Sequence, residues 1–312
     1  MPDIVVMFFL LGLLAGVVKS DLTIPKAAYD TLSLLLMLTI GLKGGMSLYG
    51  NLNWSLIPEL LAVAALGGLI PLALMPVLRR LVRLSPADSA SIAAHYGSVS
   101  AGTFAVALAF AESRALPIGA EVTLYLVMME LPAIMVAIAL FRRHSGKDSS
   151  EALQGIWHET LTNRGVILLA GGAVIGAMYG PAEGANVTDL LTGAFHAVLA
   201  LFLLQMGLTA AETLRPIPWY HWRLLTFALV APFVLAMAGL AVGLMLGLPT
   251  GSLMILTALA ASASYIAAPA AMRTAIPQAN IGLAMLASLG FTFPLNVIVG
   301  IPIYHQLAMW LG

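Results

Sequence analysis

Apolar runs of about twenty residues, long enough to cross a hydrocarbon core of about 30 Å, recur from one end of the chain to the other. Charge is confined almost entirely to the gaps between them. Of 312 residues 61% are hydrophobic and 9% charged, against about 25% charged in a soluble domain. The mean hydropathy is +0.99. Lipid is therefore the expected solvent, and the length accommodates roughly ten spans with short connections and little else. The 14 basic and 14 acidic residues form no basic block, which excludes the electrostatic footprint of a nucleic-acid binder. With no cysteine, disulfide frameworks and thiolate metal sites are excluded as well. Met1, Pro2 and Asp3 lack the positive region of a cleaved signal peptide, so the first apolar run is expected to stay as a helix.

Breaks rich in charge, Pro, Gly or Asn divide the chain into predicted helices over 4–18, 24–42, 54–79, 87–112 and 117–141, then 165–180, 187–210, 219–247, 250–273 and 278–311. The one long polar stretch falls between these sets. This predicts a five-helix repeat over 1–141, a connector over 142–164 and a second five-helix repeat over 165–312. With ten spans, the loops after odd-numbered helices collect Lys19, Lys26, Arg79, Arg80, Arg83, Arg142, Arg143, Lys147, Arg164, Arg215, Arg223 and Arg273, which is 12 of the 14 basic residues. Lys43 and Arg114 fall on the other side. The positive-inside rule then puts both termini outside and the connector in the cytoplasm, for a multi-pass protein of the bacterial inner membrane.

The halves also align at an offset of roughly 160 to 166 residues. Ile40-Gly41-Leu42 meets Met206-Gly207-Leu208, Leu116-Pro117 meets Ile276-Pro277, and Glu130-Leu131-Pro132 meets Thr292-Phe293-Pro294. Because each half has an odd number of spans, the second lies upside down relative to the first.

Polar interruptions occupy equivalent places in spans four and nine. AAHYGSVSAGTFAVAL sets Gly97, Ser98, Ser100, Gly102 and Thr103 at mid-depth, and LAASASYIAAPAAMR does the same with Ser262, Ser264, Tyr265 and Pro269. Gly and Pro weaken a helix, and lipid offers no partner for freed backbone groups, so such breaks belong where they line a wet cavity. If both helices unwind there, the downstream halves begin near Thr103 and Ile266 with their N-terminal ends converging. Each end presents unpaired N–H groups and about half a positive charge, enough to attract an anion without a basic side chain. The expected anion site is Gly97, Ser98, Val99, Ser100, Ala101, Gly102 and Thr103 with Ile266, Ala267 and Ala268. Free carbonyls ending the upstream halves, near Tyr96 and Ala261, suit a cation. The alternative is that these small residues only let helices pack closely.

Glu130 is the one acid far from either end of a span, and with Ser262, Ser264 and Tyr265 it forms the expected cation-binding or coupling group. The bland reading is a protonated Glu held within the bundle. His95 and His196 read as packing residues. Lys43 reads as a rim residue that could also guide anions in the outer vestibule.

These segments resemble the SbtA-type sodium-dependent bicarbonate transporters over nearly the whole chain. The resemblance is carried by Gly97, Val99, Ser100 and Thr103 in GSVSAGT, by Met129, Pro132 and Ala133 in MELPA, and by Ser262, Ser264, Ile266, Pro269, Arg273, Pro277 and Asn280 in SASYIAAPAAMRTAIPQAN. It implies ten spans in inverted repeats, a core with crossing broken helices beside a gate domain, and a homotrimer. It also implies bicarbonate held by backbone amides and inhibition by a PII-like cytoplasmic partner. Where cyanobacterial members have an acid after the second Ser of span nine, here stands Tyr265; where they have Asp before Leu/Ile-Pro, here stands Glu130. The connector is also shorter. Sodium-dependent bicarbonate import is thus the primary expectation, and a proton- or sodium-coupled carrier of another small anion, such as a monocarboxylate, is the alternative. No cofactor is expected beyond a transported sodium ion. An enzyme using Ser100 with His95 is disfavoured, because Ser100 lacks a G-x-S-x-G context and no HExxH sequence occurs.

Overall fold

The computed structural model describes residues 3–51, 54, 56–145, 162–214 and 219–312; no strand forms among them. Most of the 142–164 connector lies outside the described residues. The helices are α1 (Ile4–Val17), α2 (Lys26–Leu48), α3 (Leu56–Val77), α4 (Pro86–Gly97), α5 (Ala101–Ser113), α6 (Leu124–Ser145), α7 (Arg164–Glu183), α8 (Ala185–Gly193) and α9 (Phe195–Thr213). There follow α10 (Trp222–Met245), α11 (Thr250–Ala260) and α12 (Ala267–Ala275), and a last helical run, α13 (Ile281–Leu311). Eight helical segments among the described residues are long and apolar enough to cross a membrane, with α1 and α11 apolar but shorter. The chain is a multi-pass helical membrane protein. Its outer surface agrees: Leu69, Val174, Met178, Val230 and Val234 are all exposed, as expected of side chains whose solvent is lipid. Exposed Trp54, Trp219, Trp222 and Trp310 sit at helix ends, where amphipathic rings mark the membrane interfaces.

The boundaries depart from the predicted ones where local chemistry overrides hydropathy. α2 runs on to Leu48, so Lys43 lies inside a helix. Its charge is met there by Glu112. α6 begins at Leu124, seven residues after the predicted start at Pro117, because the intervening chain is tied down otherwise: the Gly119 amide donates to Ser252 Oγ over 2.7 Å and the Pro117 carbonyl accepts from the Gly251 amide over 2.9 Å. α7 bends at Gly180, whose φ of +64° precedes Pro181. The seventh predicted span divides into α8 and α9, which leaves His196 exposed near the N-terminal end of α9 rather than packed inside it.

Two bodies of helices result. In the first, α1 packs along α9 and α2 along α7; in the second, α3 packs with α4 and α6, and α10 packs with α11 and α13. The first body is held by backbone-to-backbone approach at small residues. A Cβ on Gly41 would stand 2.5 Å from the Leu169 carbonyl oxygen, and one on Gly176 would stand 2.5 Å from that of Leu42. Gly12, Gly16, Gly207 and Ala211 make the same arrangement between α1 and α9. Small residues four apart let helices meet closely where lipid supplies no hydrophobic drive for association.

Candidate functional site

The predicted fourth span, Pro86–Ser113, is the most enclosed of the eight long helical segments among the described residues, with 94% of its apolar window buried. Its helix stops at Gly97 because the chain must turn against α3 and α6: a Cβ there would fall 2.6 Å from Pro71 Cγ and 2.8 Å from Ala133 Cβ. Ser98 and Ser100 are extended. Helix resumes at Ala101, where Ser100 is the N-cap: its Oγ accepts from the Thr103 amide over 3.1 Å and its carbonyl from the Phe104 amide over 2.9 Å. The second break runs from Ala261 to Ile266, between α11 and α12. Here Ser264 Oγ accepts from the Ala268 amide over 3.2 Å. A serine thus caps each downstream half-helix, meeting one of its otherwise free N–H groups.

The breaks are joined to each other in both directions. The Ser100 amide donates to Ser262 Oγ over 2.8 Å, and the Ser264 amide donates to the His95 carbonyl over 2.6 Å. Ser262 Oγ donates in turn to the Leu259 carbonyl over 2.7 Å. After these bonds, the amides of Ala101, Gly102, Ile266 and Ala267 have no acceptor among the described residues. The side-chain oxygens of Ser98, Thr103 and Tyr265, Oε1 of Glu130 and Nε2 of His95 are also buried without a hydrogen-bond partner. Such groups are rare in folded proteins and mark places where water or a ligand belongs.

One small cavity gathers much of this unmet polarity. It is lined by Val99, Ser100 and Ala101 from the first break, by Ser264, Tyr265, Ile266 and Ala267 from the second, and by Glu130 of α6. Met37 of α2 and Asn163, Gly165 and Leu169 at the start of α7 close its other side. The cavity measures about 20 Å³, room for one water molecule but not for a four-heavy-atom anion. No Lys or Arg among the described residues lines it, so attraction for an anion there would come from the N-termini of α5 and α12. A carboxylate and a phenol face these amides.

The expected residues therefore divide into groups. Val99, Ser100, Ala101, Ile266, Ala267, Ser264, Tyr265 and Glu130 share the cavity wall. Gly97 serves the close approach to α3 and α6, and Gly102 lies beneath the Tyr265 hydroxyl. Ser262 bridges the breaks. Ser98, Thr103 and Ala268 are buried beside the crossing rather than in its wall. Two carbonyls at the ends of the upstream half-helices are occupied: that of His95 accepts from the Ser264 amide, and that of Ala261 accepts from Asn296 Nδ2 over 2.8 Å, while Tyr304 donates to Asn296 Oδ1 over 2.8 Å. Tyr96 Oη pairs with Thr292 Oγ1 at 2.7 Å, and Thr292 donates to the Ala228 carbonyl. Asn296 and Thr292, on the π-helical turns of α13, were not foreseen, although an Asn in the apolar run NVIVG is the kind of signal that marks a buried polar role.

A second cavity, of about 420 Å³, lies toward the opposite end of α7 and is lined by Lys43, Glu112, Thr123 and Pro181. Lys43 Nζ reaches both Glu112 oxygens, at 2.6 and 2.8 Å, and stands 4.4 Å from the centre of the Phe195 ring. This ion pair joins α2 of the first body to α5, which packs on α11 of the second.

Discontinuous helices meeting inside a bundle, with unpaired amides at the meeting point, define a class: helical membrane transporters. The family model of the Na+-dependent bicarbonate transporter superfamily matches residues 4–309, and the chain belongs to that superfamily. No curated protein matches it.

Proposed function

We propose that the chain imports bicarbonate by alternating access, with the anion bound at the crossing of the two breaks and a cation neutralising Glu130. The observation that carries this reading is the cavity itself: the N-terminal turns of α5 and α12 offer it unpaired amides while no basic side chain among the described residues lines it. Backbone dipoles of this kind suit a compact anion. A cavity of about 20 Å³ must widen to admit one, which fits a site that opens only as the two bodies move.

Ten spans in two inverted repeats accord with the packing. Exchanging α1 for α7 and α2 for α9 turns the pair α1/α9 into α7/α2, and both pairs exist; the same operation relates α3/α6 to α10/α13. The small-residue contacts follow suit, with Gly12 and Gly16 matching Gly172 and Gly176 at an offset of 160. In this reading 1–141 and 165–312 are the repeats, the first body is the gate and the second the core. The protein sits in the bacterial inner membrane with both termini outside, as a homotrimer. A PII-like regulator on the cytoplasmic side belongs to the same reading.

Two observations favour a second coupling ion: Tyr265 stands where a sodium-binding acid is expected, and Glu130 is the protonatable group in the cavity wall. Proton coupling, or transport of a monocarboxylate, is the alternative. Uptake of labelled bicarbonate into sealed vesicles, with sodium or pH gradients imposed separately and with monocarboxylate competitors, distinguishes them. Sodium-driven uptake resistant to monocarboxylates is expected; uptake driven by neither gradient would refute the proposal.

A further inference from the structure

An elongated groove outside the transport site runs between the end of α3 and the first half of α10, with a volume of about 500 Å³. Its walls are apolar, from Leu74, Val230 and Val234, and one end is rimmed by Arg80, Arg83, Arg223 and Trp222. The sequence winds this end unusually. After α3 the chain makes a π-helical turn over Leu78–Val82 and Arg83 turns it with a φ of +65°, so that Arg80 and Arg83 both reach the groove that Arg223 lines from α10.

Three guanidinium groups at one rim repel unless an anion joins them. None has a carboxylate within ion-pair distance among the described residues, whose ion pairs are Lys43–Glu112 and Arg164–Asp30. Asp88, which lines the adjoining cavity with Arg83 and Arg223, is engaged by Ser85 and by the Asn280 amide. The groove is also lipid-accessible, since Val230 and Val234 are 53% and 62% exposed. From Arg223 to Val234 the wall follows α10 for roughly 16 Å at 1.5 Å per residue, a shape for an extended acyl chain rather than a compact solute. Trp222 marks the headgroup level at the same end.

We propose that this groove holds one anionic diacyl phospholipid per chain, its phosphate at Arg80, Arg83 and Arg223 and an acyl chain along Val230 and Val234. Charge and apolar surface are both matched by such a lipid, whereas free phosphate would leave the apolar wall uncovered. Basic pockets between helices at a membrane surface recognise anionic headgroups in this way. Because α3 and α10 belong to the body that carries both breaks, the lipid would travel with the transport site.

The test is native mass spectrometry of the full-length protein in mild detergent with added phosphatidylglycerol or phosphatidylcholine. One phosphatidylglycerol per chain should be retained, and phosphatidylcholine should not. Replacing Arg80, Arg83 and Arg223 together by Gln should weaken retention roughly a hundredfold, while Lys19→Gln with Lys26→Gln, which removes charge on the same side away from the groove, should not. Val230→Trp fills the apolar wall with all three arginines intact, and should also release the lipid. Inorganic phosphate should leave the melting temperature unchanged where phosphatidylglycerol raises it. Equal binding of both lipids, unchanged binding in the arginine and Val230 variants, or stabilisation by phosphate alone would overturn the proposal. So would a change of subunit number in Val230→Trp with lipid binding intact, which would make the groove a contact between copies.

Discussion

The Ser100 amide donates to the Ser262 hydroxyl across 2.8 Å, joining two breaks separated by 162 residues of sequence. Ser262 completes the relay by donating to the Leu259 carbonyl. Two broken helices are thereby registered against each other through one hydroxyl that both accepts and donates, and both residues are buried.

Ser262→Ala removes the acceptor and leaves the Ser100 amide buried and unmet. A loss of about 1 to 3 kcal/mol follows from stranding such a group, seen as a lower melting temperature in detergent. Ser262→Thr keeps the hydroxyl and should retain more stability than Ala. Equal melting temperatures for wild type and Ser262→Ala would show that the bridge contributes nothing.

The Lys43–Glu112 pair lines the second cavity, toward the end of α7 away from Asn163, and it is the ion pair between the two bodies among the described residues. Breaking it with Lys43→Gln should favour the state open on that side. Both side chains are about a quarter exposed, so the effect is modest: about 1 kcal/mol, or a roughly fivefold shift in population. Since the chain has no cysteine, a single cysteine at Thr123 in the cavity wall reports the shift through faster labelling. The charge exchange of Lys43→Glu with Glu112→Lys should return labelling toward the wild-type rate.

Topology has an equally direct readout. Single cysteines in place of Asp21 and Glu183, both exposed, should lie on opposite faces, with only the Glu183 position labelled by an impermeant reagent in intact cells. The reverse pattern would invert the 12-to-2 sorting of basic residues and the orientation derived from it.

Glu130→Gln separates the coupling ions. A carboxylate beside an anion is repulsive until a cation or proton neutralises it, so the two ligands should favour each other by about 1 to 3 kcal/mol. If sodium is the partner, Gln should weaken sodium dependence and, by linkage, anion affinity. If a proton is, Gln mimics the neutral acid: anion binding persists while uptake no longer follows the pH gradient. Wild-type rate, sodium response and pH response in the variant would make Glu130 a structural acid.

Both breaks could be read from the sequence because Gly97, Ser98, Ser100, Ser262 and Ser264 are polar or flexible in apolar surroundings that tolerate neither without cause. Glu130 stood out for the same reason. The other wall of the cavity did not: Met37 and Leu169 are apolar residues in apolar helices, and Asn163 lies at a helix end among other polar residues. Uniform hydropathy also concealed which helices pair. Gly12, Gly16, Gly207 and Ala211 form their contact across nearly two hundred residues, and only the three-dimensional approach of α1 to α9 distinguishes them from other small residues. Lys43 looked like a rim residue because its partner, Glu112, is 69 positions away.

The anion site is tested most directly by bicarbonate uptake into sealed vesicles containing Ser100→Leu or Ser264→Leu protein. Each substitution removes the hydroxyl that caps a half-helix and fills the cavity between the breaks. Uptake should fall to background in both variants while each remains folded and inserted, shown by elution as a single species in detergent. Wild-type uptake by both variants would contradict an anion site at the crossing.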